Sequence, residues 1–187
     1  SSTSTGSRRS RADVPRFELG AWRPARDRRD PVEVLEQQGE TRIAELLPIR
    51  YGRMAASPFA FFRGSAAIMA RDLGVLPHTD THVVACGDAH ISNFGIFATP
   101  DHRLTFELND FDEASTAPWE WDVKRLAASL EIAGRSNGFS RKVRRRIVVD
   151  CVREYRETML GFADMGNLEV WYARIDMDES IARVKEH

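Results

Sequence analysis

Cysteine is scarce: the 187 residues include only Cys86 and Cys151. Two thiols so placed provide neither a disulfide framework nor the paired spacing of a zinc site. The reducing cytoplasm is therefore the expected compartment. No apolar run approaches the roughly 20 residues of a membrane helix, and no charged-then-apolar leader resembles a secretory signal, so no membrane partner is expected. An excess of either charge is lacking as well: 27 Lys and Arg against 28 Asp and Glu leave a net charge of -1. Nothing global then favours nucleic acid or an acidic membrane surface, and no nucleic-acid partner is expected. Internal repeats are absent, and so is a glycine-rich G-x-G-x-x-G nucleotide loop. The remaining composition, 42% hydrophobic and 29% charged, is ordinary for a globular protein. The length suffices for one domain core, or for one lobe of something larger.

Residues 1–14 read as a disordered, basic leader rich in Ser, Thr and Arg, and residues 15–187 as the folded region. The chain starts with Ser and stops in the helix-like run DESIARVKEH, as a fragment of a longer protein would. In PVEVLEQQGETRIAELL, the spacing of Val34, Leu35, Ile43, Leu46 and Leu47 predicts an amphipathic helix from Pro31, interrupted near Gly39 and ended by Pro48. Beyond it, Arg50, Arg53 and Arg63 alternate with Tyr51, Met54, Phe59, Phe61 and Phe62. Guanidinium groups beside aromatic surface can be half-buried and aimed at carboxylate or phosphate. Arg50 and Arg53 read as partners of core carboxylates; Arg63 reads equally as such a partner or as a clamp on a phosphate or an acceptor.

Gly64 to Leu73 reads as a short helix of small residues, and THVVACG as a strand. APWEWDVKRLAASLEIAGR predicts a helix with Val123, Leu126, Ala127, Leu130 and Ala133 on one face, closed by Gly134 or Gly138. A second helix follows over Ser140 to Phe162, with Val143, Ile147, Cys151, Tyr155 and Met159 four residues apart. The basic run opposite, Arg141 to Arg146, reads as a solvated face, because no aromatic stacking platform accompanies it.

The chemistry concentrates in CGDAHISNFGIFATPDHRLTFELNDFDEA, Cys86 to Ala114. FGIFAT and RLTFEL predict a β-hairpin that pairs residues 94–98 with 104–108 around a Pro- and Asp-containing turn. That pairing sets Asn93 opposite Asn109 and Asp110, and one end of the hairpin then collects Asp88, His90, Asn93, Asp110 and Asp112. Carboxylates repel and raise each other's proton affinity, so such a cluster needs compensation. Oxygen-rich sites of this kind suit Mg²⁺ or Mn²⁺ together with phosphate oxygens. The residues themselves do not select the reaction.

Asp88 and Asn93 form D-x-x-x-x-N, followed by the hairpin and the Asp110–Phe111 step. This order resembles the catalytic half of protein-kinase-like phosphotransferases. GDAHISN and NDFDEA are similar to the corresponding segments of the aminoglycoside and choline kinase branch. RYGRM, SPFAFFRG, CGDAHISNFG, NDFDEA and PWEWDVKRLAASL together resemble the bacterial domain of unknown function 2252 family, from about Arg28 to Tyr172. The resemblances imply an α+β fold, a mostly helical kinase-like catalytic lobe whose short hairpin carries the acidic site. They also imply that a glycine-rich stretch and a Lys-bearing strand follow downstream.

The implied activity is phosphoryl transfer from ATP, with Mg²⁺ or Mn²⁺, to a hydroxyl of a small molecule or protein. In that reading Asp88 is the general base, and His90 beside it carries a proton or pins the loop. Asn93 and Asp110 hold the metal on the nucleotide, Asp112 binds a second metal or orients the first, and Arg63 contacts a phosphate. Asp122 fixes the loop from behind, and Trp119 and Trp121 pack in the core. Two rival readings remain open: a two-metal phosphohydrolase using Asp88, His90, Asp110 and Asp112, and a non-catalytic nucleotide-binding module.

Overall fold

The computed structural model describes residues 14–15, 17–100 and 102–173. The expected basic leader, except for its last residue, and the helix-like run DESIARVKEH lie outside the described residues. Helix α1, Pro31–Gly39, starts where the Asp30 carboxylate accepts the Val32 N–H at 2.7 Å and Pro31 supplies a preset φ. It ends at Gly39, the expected break. The chain then re-enters helix through a 3₁₀ turn at Ala44–Leu46 and, contrary to expectation, continues past Pro48 in α2, Leu47–Ala55. Pro48 therefore opens a helix instead of ending one. In the first turn its missing N–H has no intrahelical partner to lose.

Helix α3, Pro58–Arg63, is capped by Ser57, whose Oγ accepts the Ala60 N–H at 3.0 Å, and α4 spans Ala66–Gly74. Val34, Leu35, Met54 and Ile68 form the core of this helical layer, with Tyr51 and Ala67 packed against it. Gly64 lies against Met54, where a Cβ would meet the buried thioether at 2.6 Å.

Two antiparallel pairs follow. β1, His82–Ala85, pairs with β4, Ser115–Pro118; β2, Phe94–Ala98, pairs with β3, Leu104–Leu108, with Phe94 opposite Leu108. The hairpin has the predicted limits. The β4 strand was not predicted: STAP has little alternation, and its pairing with β1 is non-local. It occupies the start of the expected APWEW helix, so α5 begins later, at Glu120, and runs to Ser136.

Helix α6, Arg141–Ala163, packs on α5, and α7 covers Asn167–Tyr172. The face of α5 that is most buried is not the apolar one. Glu120, Arg125 and Ser129 are buried, whereas Val123, Leu126, Ala127, Leu130 and Ala133 are partly exposed. On α6, Arg146 pairs with Asp150 at the surface, as befits a solvated face, but Arg144 of the same basic run turns to α5 and donates from Nε to Glu131 Oε1 at 2.9 Å. The architecture is α+β, with helices before and after two small sheets. Among the described residues no helix is long and apolar enough to cross a membrane.

Candidate functional site

The loop between β1 and β2 is held mainly by one polar face of α5. Residues 122, 125 and 129 recur at helical spacing, so all three side chains look the same way. Asp122 accepts the N–H groups of Cys86 (2.7 Å) and Gly87 (3.0 Å). Arg125 donates from Nε to Asp88 Oδ1 at 2.6 Å, and its Nη2 contacts the same oxygen. Ser129 Oγ accepts the Ile91 N–H at 3.1 Å. The loop backbone and its carboxylate are thus positioned by three side chains from a single rigid element.

Arg125 is 2% exposed and ties in the helical layer as well. Nη2 donates to the Phe62 carbonyl at 2.9 Å, and the guanidinium lies 4.4 Å from the centre of the Phe62 ring. Gly87 has φ +80°, and a Cβ there would run into the Glu113 carbonyl. Only glycine lets the loop before Asp88 approach the loop after Asp110 this closely.

His90 is 2% exposed. Its Nε2 sits 3.6 Å from Asp88 Oδ2, its ring meets Phe59 edge-on, and Nδ1 is buried with no hydrogen-bond partner. Burial pushes its pKa below the ordinary 6.5, outweighing the Asp88 carboxylate, which pulls the other way; Arg125 and Arg63 add to the depression. The imidazole is accordingly neutral at pH 7. The loop ends in a 3₁₀ turn, Ile91–Asn93. There the buried Asn93 donates from Nδ2 to the Asp88 carbonyl at 2.9 Å, and its own carbonyl accepts the Asn109 N–H at 2.9 Å. Asn93 Oδ1 keeps no partner among the described residues.

A cavity of about 860 Å³ opens between this loop and helices α2 and α3. Asp88, His90, Asn93, Asp110 and Arg63 all line it. Asp110 is exposed, with its carbonyl accepting the Cys86 thiol at 3.1 Å. Asp112 is exposed but does not line the cavity; its N–H donates to Asp110 Oδ1 at 3.2 Å. Among the described residues no three His, Cys, Asp or Glu side chains gather in a way that could hold a metal ion. The set that fits a hard cation is narrower: one exposed carboxylate, Asp110, and the unpartnered Oδ1 of Asn93. Mg²⁺ commonly takes one or two protein oxygens and completes its shell with water and phosphate.

Arg50 and Arg53 line the same cavity. Arg50 was expected to meet a core carboxylate, but it donates to the Gly64 carbonyl (2.9 Å) and to Gln38 Oε1 (3.0 Å). Trp119 stacks on Tyr155 with the rings 5.7 Å apart, and Trp121 borders a smaller cavity behind the loop, about 330 Å³. Sequence reasoning passed over Arg125 and Ser129. The signal was present as polar residues at 122, 125 and 129 inside a helix, which a search for the apolar stripe discards.

The family model described as an uncharacterized protein conserved in bacteria (DUF2252) matches residues 42–187, more than half of the chain. The chain belongs to that family. Asp88, Arg125 and every cavity-lining residue except Thr41 lie within the matched span. No curated protein and no solved structure matches the chain.

Proposed function

We propose that the protein is a Mg²⁺- and ATP-dependent phosphotransferase acting on a hydroxyl of a small molecule or protein. The observation that carries this reading is the shared cavity of Asp88, Asn93 and Asp110, with the loop that bears Asp88 and Asn93 fixed by α5. Asp88 Oδ1 is taken by Arg125, and Oδ2 is the oxygen left to accept a hydrogen bond from the acceptor hydroxyl. Phosphoryl transfer depends chiefly on positioning and charge stabilisation, so a carboxylate clamped by an arginine suits the task. Asn93 Oδ1 and Asp110 would hold Mg²⁺, whose role is to neutralise charge on the phosphates. Neutral, buried His90 sits beside Asp88 and is not positively charged at pH 7. Asp112 would act only through Asp110.

Two protein oxygens favour a single metal joined to a phosphate over the two-metal phosphohydrolase, which needs a larger ligand set. The test separates binding from transfer. Asp88→Asn leaves Arg125 without its carboxylate and is therefore first checked for folding by circular dichroism. It is expected to keep Mg-ATP binding and to lower ADP release by at least about 100-fold, the scale of a positioned base. Unchanged ADP release in Asp88→Asn would remove Asp88 from the reaction.

A further inference from the structure

The cavity that Asp88 lines is also lined by Arg42, Arg50, Arg53 and Arg63. Arg42 precedes α2, Arg50 and Arg53 lie three residues apart on α2, and Arg63 ends α3. Four arginines in one cavity call for compensation, and the protein supplies very little. The side chains of Arg53 and Arg63 make no hydrogen bond or ion pair among the described residues. Arg42 meets one carboxylate, Glu113, at 3.7 Å, with both side chains well exposed. Arg50 spends Nη2 on two neutral acceptors, and its Nη1 is buried without any partner. Asp88, in the same cavity, is already held by Arg125. Only Asp110 remains as a lining carboxylate.

Helix dipoles account for part of this. Arg53 and Arg63 sit in the last turns of α2 and α3, where a cation gains about 0.3–1 kcal/mol. That does not explain why all four arginines face one cavity. Nor does it explain the buried, unpartnered Nη1 of Arg50, a strong donor left without an acceptor. Burial lowers the pKa of Arg50, and the neighbouring Arg42 lowers it further. A bound anion relieves both strains at once.

We infer that Arg42, Arg50, Arg53 and Arg63 form a subsite for a phosphate group of the ligand, in the cavity that Asp88 and Asp110 also line. Guanidinium forks match phosphate oxygens in pairs, and several lining one cavity favour a dianion over a single carboxylate. The subsite deepens the phosphotransferase reading and rests on the same cavity. Its phosphate belongs either to the nucleotide or to an acceptor that already bears one. In the second case the substrate class is a phosphorylated hydroxyl compound.

The test is a calorimetric titration of the 187-residue chain with pyrophosphate, in low-salt buffer containing a chelator and no divalent metal. Saturable binding is expected. It should weaken about tenfold or more in Arg53→Ala and in Arg63→Ala, the scale of one charge-assisted hydrogen bond. Arg63→Lys should lose less, and Asp110→Asn should bind at least as tightly as the parent. Far-UV circular dichroism checks that each variant is folded, which the exposure of Arg53 and Arg63 favours. No binding by the parent chain, or equal binding by the folded Arg53→Ala/Arg63→Ala double variant, would overturn the subsite.

Competition assigns the phosphate. Pyrophosphate that displaces Mg-ATP places the nucleotide's phosphates on the arginines; Mg-ATP that binds equally well beside pyrophosphate places the acceptor's phosphate there. The two readings fail separately. Arginine-dependent pyrophosphate binding without any Mg-ATP binding keeps the subsite and removes the phosphotransferase. Mg-ATP binding with no arginine-dependent pyrophosphate binding does the reverse.

Discussion

At the scale of single residues, the site depends on Arg125. Its guanidinium neutralises Asp88, reaches the Phe62 carbonyl and lies over the Phe62 ring, all while almost fully buried. Removing one partner of such a pair strands the other's charge, which costs more than the pair itself contributes. Arg125→Met is expected to destabilise the fold by about 3 kcal/mol, read from the midpoint of urea unfolding. Asp88→Asn added to that background should recover part of the loss, since no charge is then stranded. Additive losses in the double variant would show that the pair is not coupled.

His90 makes a second residue-scale case. Its folded pKa lies below the ordinary 6.5, chiefly because it is buried. The unfolded chain therefore binds a proton that the folded chain refuses, and His90 stabilises the fold above pH 6.5. That contribution is lost as the pH falls below 6.5 through the folded value. His90→Gln should flatten this part of the stability profile, measured by chemical unfolding at a series of pH values. An unchanged acid slope in the variant would mean that His90 titrates alike in both states.

At the scale of elements, local signals succeeded where they acted alone. Alternation and the turn located the β2–β3 hairpin, and Pro31 marked the start of α1. They failed where partners distant in sequence decide. STAP becomes a strand because β1 offers it a ladder, and α5 begins only once that ladder ends. Pro48 is a stop signal from one side and a start signal from the other. Its segment becomes helix because α2 packs Met54 into the core. The short helix α3 depends on its cap. Ser57→Ala should cost about 1 kcal/mol, measured by thermal or urea unfolding. The Arg63 subsite should loosen with it, because Arg63 is the last residue of that helix. A loss well below 0.5 kcal/mol would show that packing against α5 holds α3 without the cap.

At the scale of the molecule, the cavity lies between the helical layer and the loops flanking the hairpin. The helical layer supplies the arginines, the loops flanking the hairpin supply Asp88, His90, Asn93 and Asp110, and α5 braces the Asp88 loop from behind. The sequence pattern identified the acidic end of the hairpin because its residues are close in the chain. It could not reveal that the arginines line the same cavity, since that depends on how α2 and α3 pack. Asp112 illustrates the limit in the other direction. It is two residues from Asp110, yet the turn that carries its N–H to Asp110 Oδ1 leaves it outside the cavity.

The most direct test of the central claim is a calorimetric titration with ATP, with and without Mg²⁺, on the parent protein and on Asp110→Asn. The expected result is saturable binding that requires Mg²⁺ and is lost in Asp110→Asn. Binding that ignores Mg²⁺, or that persists unchanged in the variant, would contradict a metal held by Asn93 and Asp110. Failure of the folded parent protein to bind ATP at all would contradict the phosphotransferase itself.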